Sequence, residues 1–315
     1  MNRLLLALLA LLLAACNDDD KLPSAAKPVA SDGPNLNANA TDRQPDYGRL
    51  EFPRLRGDAD SRVLLRRVAG YGLNYAIEYD TRKRTQRWTC WQWHRGNCGT
   101  SWNRKNWDNE TTNEWAMLNL RTRGWGDPFQ PDPDLPAGQR TELAEYDDIP
   151  YQRGHICASA DRLNSMDANE QTFYLSNILP QKKSLNEGIW QDMESKMQAW
   201  GRSDSFRRTL YVVKGGTIDS EAHIRALTAT GLVVPRYFFM AALCEDTQGR
   251  YKAIAFWVEH TDRNEKGQPL RNYVKSVRQL EQLTGLDLFC NLPDPTENEV
   301  ETASLARMLS DWGLQ

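Results

Sequence analysis

One stretch of this 315-residue chain, residues 151–196, constrains the fold more than any other. It reads YQRGHICASADRLNSMDANEQTFYLSNILPQKKSLNEGIWQDMESK. Gly154 gives the backbone room to bend sharply before His155. From Asn186 onward, apolar residues recur at helical spacing and form one face; they are Ile189, Trp190, Met193, Met197 and Trp200. The stretch therefore predicts a strand or loop that ends at His155, a short second strand, and a helix.

Two side chains in this stretch have a chemistry suited to hydrolysis. Histidine is the natural side chain for taking a proton near neutral pH, which makes His155 a candidate general base. The amide oxygen of Asn186 is a hard, neutral ligand of the kind that Mg²⁺ or Ca²⁺ binds. A base and a cation together favour metal-assisted hydrolysis, in which the cation lies near the leaving group.

The order and spacing of these residues resemble the active-site segment of the DNA/RNA non-specific endonuclease family, the ββα-metal nucleases that include endonuclease G. That family's signature is Asp-Arg-Gly-His, a strand with an Asn, Pro-Gln, and then Leu-Asn-x-Gly-x-Trp with a Glu eight residues past its Asn. The matching segments here are 152–155, 174–177, 180–181, 185–190 and Glu194. One residue departs, because Gln152 stands where the family has Asp. Further similarity extends over about residues 70–295.

The resemblance implies an α+β fold, in which helices pack on a central antiparallel sheet that carries a ββα-metal (His-Me finger) active site. It makes His155 the general base and Asn186 the residue that holds one Mg²⁺, with Mn²⁺ or Ca²⁺ as substitutes. Asn177 and Gln181 are expected either to bind the substrate or to orient the His155 loop and metal-bound waters.

Arginines of the chain are expected to stabilise the charged phosphate, because a guanidinium makes strong, charge-assisted hydrogen bonds to phosphate oxygens. The resemblance assigns this role to Arg153, next to the histidine, and to Arg123, in the segment RTRGWGDPFQPDPDLP. Arg121 and Arg140 are alternatives to Arg123. The alternative interpretation of Arg121, Arg123 or Arg140 is a solvated surface arginine.

Glu194 follows Asn186 by eight residues on the predicted helix. This spacing corresponds to about 12 Å along the helix axis and roughly 80° around it. Direct binding of one cation by both residues is therefore not expected. Helical side chains lean toward the N-terminus, so contact through a metal-bound water is within reach. The alternative interpretation is a surface glutamate that pairs with Lys196 or Gln198.

The function implied by the resemblance is metal-dependent, sugar-non-specific hydrolysis of phosphodiester bonds within DNA and RNA. The net charge of −3 and the pI of about 5.9 count mildly against nucleic-acid partners, which more often select basic proteins. A catalytic cleft, however, needs only local positive charge. The alternatives are a nucleic-acid-binding envelope lipoprotein whose catalysis is weakened by Gln152, and an envelope lipoprotein in which the motif is incidental. No protein partner is indicated.

The N-terminus has the pattern of an export signal. A charged start, Met1-Asn2-Arg3, precedes an unbroken apolar run over residues 4–15 and then Cys16, as a signal peptide requires. Leu13-Ala14-Ala15-Cys16 resembles a bacterial lipobox, in which the cysteine is lipidated and becomes the mature N-terminus. Residues 1–16 are therefore interpreted as a lipoprotein signal peptide with its lipidation site, and an ordinary signal peptide is the alternative. The protein is expected to be exported and lipid-anchored to the cell envelope, facing the periplasm or the cell surface.

The rest of the chain divides into two parts. Residues 17–62 are rich in Asp, Pro, Ala, Asn and Ser. This segment has few large apolar residues, so it buries too little surface to offset the entropy that the chain loses on ordering. We therefore predict a flexible tether. Residues 63–315 are long enough for one endonuclease domain with a substantial core.

Within that domain, hydrophobic periodicity predicts the elements that build the sheet. The segments with strand patterns are 73–93 (a hairpin), 172–179, 209–214, 233–243 and 253–258. Residues 273–283 have the pattern of an amphipathic helix, which Gly285 is expected to cap.

Cysteine and tryptophan usage leaves two questions open. Cys90 and Cys98 are close enough to bridge a hairpin or loop in an exported protein, but buried free thiols are the alternative. Seven of the eleven tryptophans fall between residues 88 and 125, interleaved with basic residues. Such aromatic residues either stack on bases or serve as core and loop anchors.

Overall fold

A seven-stranded antiparallel sheet forms the centre of the fold and confirms the predicted α+β class. The computed structural model describes residues 34–315. With strands numbered in chain order, the sheet contains β1 (Ser61–Val68), β2 (Gly72–Asp80), β3 (Thr85–His94), β6 (Thr209–Gly216), β9 (Tyr237–Glu245), β10 (Tyr251–Glu259) and β11 (Val274–Lys275), in that spatial order. Two small antiparallel pairs lie outside it, β4 (Gln152–His155) with β5 (Ile178–Gln181) and β7 (Ile224–Leu227) with β8 (Val233–Pro235).

Helices cover both faces of the sheet. They are α1 (Glu114–Arg123), α2 (Met166–Gln171), α3 (Trp190–Arg202), α4 (Val277–Thr284), α5 (Asp294–Glu301) and α6 (Leu305–Asp311). No helix within residues 34–315 is long and apolar enough to cross a bilayer.

Strand alternation separates two hydrophobic cores. In β2, Tyr75 and Ile77 pack on the face covered by α3, through Met193 and Met197 among others. Ala76 packs on the opposite face, with Val277 and Leu280 of α4 and Val300 of α5. Because both faces are covered, the central strands are buried along almost their whole length. This layered packing fixes α3, and with it the candidate site, against the middle of the sheet.

Most of the predicted elements are present, with shifted boundaries. The hairpin over residues 73–93 is β2 and β3, and the apolar face of α3 is buried as predicted. The expected strand at 233–243 is divided between β8 and β9. The expected helix at 273–283 begins only at Val277, where Ser276 caps it, because the preceding residues form β11. Gly285 ends this helix at φ 73°, as predicted.

The prediction of a flexible tether over residues 17–62 is wrong for its second half. Residues 34–60, here called the N-terminal strap, pack on the domain just before β1. Phe52 is fully buried and meets the ring of Trp88 edge-on at 5.9 Å. Asn39 is 7% exposed; its Nδ2 donates to the carbonyls of Tyr47 and Pro53, and its Oδ1 accepts from the Leu55 N–H.

The far end of the chain supplies the rest of the strap's partners. Asn35 donates to the carbonyls of Cys290 and Leu292, at 3.0 and 2.6 Å. Asn37 donates to the carboxylates of Asp287 and Glu297. Composition predicted disorder because few apolar residues of the strap pack on the core, and because the partners of Asn35 and Asn37 lie 250 or more residues away in the sequence. Residues 1–33, with the signal peptide, Cys16 and the start of the tether, lie outside the described residues.

The cysteines from Cys90 onward are free thiols. Cys90 lies in the core of β3, and Cys98 is half-buried in the loop after that strand. The structure therefore favours the alternative of buried thiols over a bridge between these two residues. Four tryptophans of the cluster at 88–125 are core residues, namely Trp88, Trp91, Trp93 and Trp107.

Candidate active site

The short β4–β5 pair presents the histidine of the motif. His155 lies opposite Ile178 and Gly154 opposite Leu179 in an antiparallel register. The glycine is required for space: a Cβ at Gly154 would lie 2.2 Å from Cδ of Gln181. The predicted sharp bend at Gly154 is therefore wrong, because this residue sits within a regular strand and allows a close approach of the Gln181 side chain.

His155 occupies an aromatic enclosure and is 9% exposed. Its ring lies 4.9 Å from the ring of Phe173, in a perpendicular arrangement, and 5.3 Å from that of Phe129. Nε2 is buried and has no hydrogen-bond partner among the described residues. Burial, and then the positive charges of Arg104, Arg153 and Lys214, hold the pKa of His155 well below its usual 6.5. The imidazole is therefore neutral at physiological pH, which is the form a general base requires.

Asn177 holds the loop that follows His155. Its Nδ2 donates to the carbonyls of Cys157 and Thr172, at 2.8 and 2.7 Å, and its Oδ1 accepts from the Cys157 N–H at 2.9 Å. The residue is fully buried. With these amide bonds made inside the protein, the structure does not support the predicted direct role of Asn177 in substrate binding. The arrangement instead matches the other predicted role, orientation of the His155 loop.

Gln181 lies beneath the same loop, with its side chain packed against Gly154. It is fully buried, and neither amide atom has a hydrogen-bond partner among the described residues. A side chain without exposed surface is not placed for direct substrate contact, so the structure does not support that predicted role. Its unpartnered amide lies under the backbone that carries His155.

Asn186 is located in a wide helical turn, Leu185–Ile189, that precedes α3. The α-helix proper starts at Trp190, later than predicted, because Gly188 has non-helical dihedrals of φ −104° and ψ −128°. Nδ2 of Asn186 donates to Oε1 of Gln152 at 2.8 Å, and Nε2 of Gln152 donates to Oε1 of Glu187 at 2.5 Å.

This chain of hydrogen bonds explains how Gln152 fits where the family has Asp. An amide accepts from Asn186 with one atom and donates to Glu187 with the other. A carboxylate at the same position would only accept, and it would face the negative charge of Glu187. Gln152 therefore retains a bond to Asn186 without placing two negative charges together.

The donors that remain for a cation here are few. With Nδ2 of Asn186 turned toward Gln152, its Oδ1 is available to a hard cation. Within residues 34–315, no three His, Cys, Asp or Glu side chains converge as a metal-binding group. The side chains thus fit a cation that takes one amide oxygen from the protein and otherwise water, as the resemblance implies.

Glu194 belongs to a buried charge cluster. Its Oε1 lies 3.1 Å from Nζ of Lys214, and the same Nζ lies 3.3 Å from Oδ2 of Asp161. Lys214 and Asp161 are fully buried, and the Glu194 side chain is 15% exposed. Burial raises the pKa of Glu194 to about 7, an effect that Lys214 opposes. The interpretation as a surface glutamate is wrong, since neither Lys196 nor Gln198 is its partner.

Asp161 extends this cluster to the His155 loop. Its Oδ2 accepts from the Ala158 N–H at 3.1 Å, and its Oδ1 accepts from Gln198 Nε2 at 2.9 Å. The carboxylate therefore links the loop after His155, helix α3 and Lys214.

Two of the predicted arginines lie together. Burial, and then the positive charge of Arg123, lower the pKa of Arg153 to about 10, so Arg153 remains charged at neutral pH. Arg123 pairs with Asp147 at 2.6 Å, while Arg153 has a buried Nη1 without a partner among the described residues. Arg140 is paired with Glu142 at 2.7 Å. The structure thus places Arg123, rather than Arg140, beside Arg153.

Sequence reasoning missed Lys214 and the aromatic residues around His155. A lysine within an apolar strand was a usable signal, because a fully buried ammonium needs a negative partner. Lys214 also lies 5.0 Å from the ring of Trp91 and 5.7 Å from that of Trp190, which identifies those tryptophans as part of its enclosure. Phe129 and Phe173 carried no such signal, since their packing on His155 depends on loops distant in sequence.

Comparison with known proteins agrees with this geometry. The family model for DNA/RNA non-specific endonucleases matches residues 67–295. A nuclease of Nostoc sp. (strain PCC 7120 / SAG 25.82 / UTEX 2576) is 28% identical over 233 residues, covering 72% of this chain and 75% of the relative. The mitochondrial endonuclease G of Homo sapiens is 27% identical over 193 residues, covering 56% of this chain and 64% of the human protein.

A solved structure shares the architecture. A chain in the crystal structure of the EndoG/EndoGI complex superposes with a TM-score of 0.60 at 17% sequence identity, covering 81% of this chain and 94% of that one. At this identity the likeness establishes the fold, which confirms the expected central sheet with packed helices.

Proposed function

The chain belongs to the DNA/RNA non-specific endonuclease family, and from that premise we propose that it hydrolyses phosphodiester bonds within DNA and RNA. The observation that carries the proposal is a neutral, buried His155, which follows Gly154, closely packed against Gln181, and lies two residues from the charged Arg153. This arrangement places a proton acceptor beside a positive charge suited to phosphate.

In the proposed reaction, His155 takes a proton from a water molecule as the water oxygen attacks phosphorus. The P–O3′ bond breaks in line with the attack, and the leaving 3′ oxygen takes a proton from solvent water, which gives a 5′-phosphate and a 3′-hydroxyl end. The guanidinium groups of Arg153 and Arg123 stabilise the negative charge that gathers on the phosphate oxygens. Buried support from Asn177 and Asp161 fixes the His155 loop during this transfer.

We assign Asn186 as the protein ligand of a Mg²⁺, with Mn²⁺ or Ca²⁺ as substitutes. Its Oδ1 would bind the ion, and Glu194 would act on the ion's water shell rather than on the ion itself. When bound, such an ion supplies charge stabilisation at the phosphate and at the leaving 3′ oxygen. Gln152 orients the Asn186 amide through the bond from Nδ2.

The test is cleavage by the full-length chain in detergent, using supercoiled plasmid and RNA. We expect nicked and linear plasmid and shortened RNA with Mg²⁺, no cleavage in EDTA, and recovery when Mg²⁺ is restored. Retention of nucleic acid without any cleavage would instead support the alternative function, a nucleic-acid-binding envelope lipoprotein.

The variant Asn186→Ala tests the assigned ligand. We expect slower cleavage at low Mg²⁺ and partial recovery at high Mg²⁺, because the ion loses its one protein oxygen but can still be held by water and substrate. Activity is measured against Mg²⁺ concentration for this variant and for Asn272→Ala, which removes an exposed asparagine. An unchanged Mg²⁺ dependence in Asn186→Ala would contradict the assignment.

We also propose that the protein acts outside the cytoplasm, held to the envelope by a lipid on Cys16. The support is the sequence pattern at residues 1–16, and two acyl chains are sufficient for stable anchoring. In cells fed a labelled fatty acid, the wild type is expected to carry the label and Cys16→Ala to lose it. Persistent label on Cys16→Ala would rule out this site of attachment.

A further inference from the structure

Trp125 differs from the other tryptophans of the chain in its exposure. It is 45% exposed, whereas the remaining ten, all within the described residues, are buried or half-buried. Exposure of a large apolar ring to water lowers stability relative to burial, so packing does not account for its placement.

The backbone around Trp125 is fixed on both sides. Gly124 ends helix α1 in the left-handed conformation, at φ 85°. The N–H of Gly126 donates to Oδ1 of Asp108 at 2.6 Å, and a Cβ at Gly126 would lie 2.2 Å from the carbonyl oxygen of Trp107. The exposed indole is therefore held on a rigid turn, which limits the entropy it would lose on binding a ligand.

Trp125 is also joined to the hydrolytic residues by a continuous row of contacts. The Arg153 guanidinium lies 5.8 Å from the Trp125 ring and 4.2 Å from the Phe129 ring. The Phe129 ring in turn lies 5.3 Å from the imidazole of His155. These contacts connect His155, the proton acceptor, to the Arg153 guanidinium and then to the solvent-exposed ring of Trp125.

We propose that Trp125 is a stacking site for an unpaired nucleobase next to the phosphate that is cut. The proposal rests on the proposed function, since that function makes nucleic acid the substrate. Every nucleobase has an aromatic face, so stacking accepts all sequences and suits a non-specific enzyme. A base must leave its duplex neighbours to lie on an indole, so the ligand class is single-stranded DNA or RNA.

Binding of a fluorescently labelled single-stranded oligonucleotide to the full-length chain, measured in EDTA, tests this site without cleavage. Trp125→Ala is expected to weaken binding roughly 5- to 150-fold, the range found when a stacking aromatic is removed. Trp125→Phe, which keeps an aromatic face, is expected to stay within a few-fold of wild type. The control is Tyr71→Ala, which removes an aromatic residue that is 37% exposed on another turn and is expected to have no effect.

A base-free strand distinguishes stacking from other effects. Wild type should bind an oligonucleotide of abasic sites more weakly than a normal one, and Trp125→Ala should bind the two alike. An equal loss on both strands, or a change below two-fold on the normal strand, overturns the proposal. With Mg²⁺ added, Trp125→Ala is expected to raise KM for single strands and to leave kcat nearly unchanged.

The two proposals fail separately. If Trp125 contributes base-dependent binding and wild type cuts neither DNA nor RNA with Mg²⁺, the hydrolytic function is wrong, and Trp125 remains a nucleobase-binding site without a cut phosphate beside it. If wild type cuts and Trp125→Ala binds both strands like wild type, the stacking site is wrong and the function stands.

Discussion

The variant His155→Ala is expected to cut DNA about 10²–10⁴-fold more slowly than wild type, the usual cost of losing a general base. The reason is that, among residues 34–315, His155 is the one imidazole that packs on Phe129 and Phe173. Because Asn186 is untouched, the Mg²⁺ dependence should stay as in wild type, and excess Mg²⁺ should restore nothing. Single-turnover rates measured against Mg²⁺ concentration check both points.

The pH profile gives this prediction a second readout. An unperturbed histidine titrates at about 6.5, but burial and nearby positive charges place the pKa of His155 well below that value. Loss of activity through protonation of the base should therefore appear only below pH 6.5. If a charged Glu194 is also needed, an inflection near its pKa of about 7 should persist in the residual activity of His155→Ala. Rescue of this variant by Mg²⁺, or a loss of only a few-fold, would contradict the role of His155 as base.

Replacement of Lys214 by methionine is expected to lower the free energy of unfolding by about 3–5 kcal/mol, as found when one partner of a buried ion pair is removed. The ammonium is fully buried and serves both Asp161 and Glu194. Methionine fills a similar volume, so the loss reports charge rather than a cavity. Urea unfolding of Lys214→Met measures it, with Lys183→Met as the control, since that lysine is 76% exposed and pairs only at the surface.

This loss should depend on pH in a defined direction. The pKa of Glu194 is raised by burial, and Lys214 holds it down. Without Lys214 the folded-state pKa rises further above the unfolded value, so stability is retained at low pH and lost as pH rises. The difference between Lys214→Met and wild type should therefore be larger at pH 8 than at pH 5. A loss below about 1 kcal/mol at pH 8 would show that the carboxylates are satisfied without the lysine.

Features of the fold that depend on neighbouring residues in the sequence could be predicted, whereas features that depend on contacts between distant segments could not. The apolar face of α3 and the cap at Gly285 follow from spacing within one helix, and both are present. The need for glycine at position 154 was predicted for the wrong reason, because the constraint comes from Gln181, a residue of another strand.

Glu194 shows the same limit at the site. From the helix alone it appears as a surface residue, and only the neighbouring strand reveals Lys214 beneath it. Charge patterns along one element do not show which charges meet inside the protein. A charged residue within an apolar strand, as in the run around Lys214, is a better sequence signal for a buried pair than the spacing of Glu194 itself.

The N-terminal strap has a consequence for how the protein is made. Asn35 and Cys290 are 255 residues apart in the chain, and Asn37 and Glu297 are 260 apart. During synthesis the strap emerges early, and these partners are among the last residues to follow. Contacts this distant also close late in folding, because the chain must lose the entropy of a very long loop before they form. The amides of Asn35 and Asn37 therefore lack these partners until the chain is nearly complete, so the start of the strap is among the last parts of the domain to reach its native contacts.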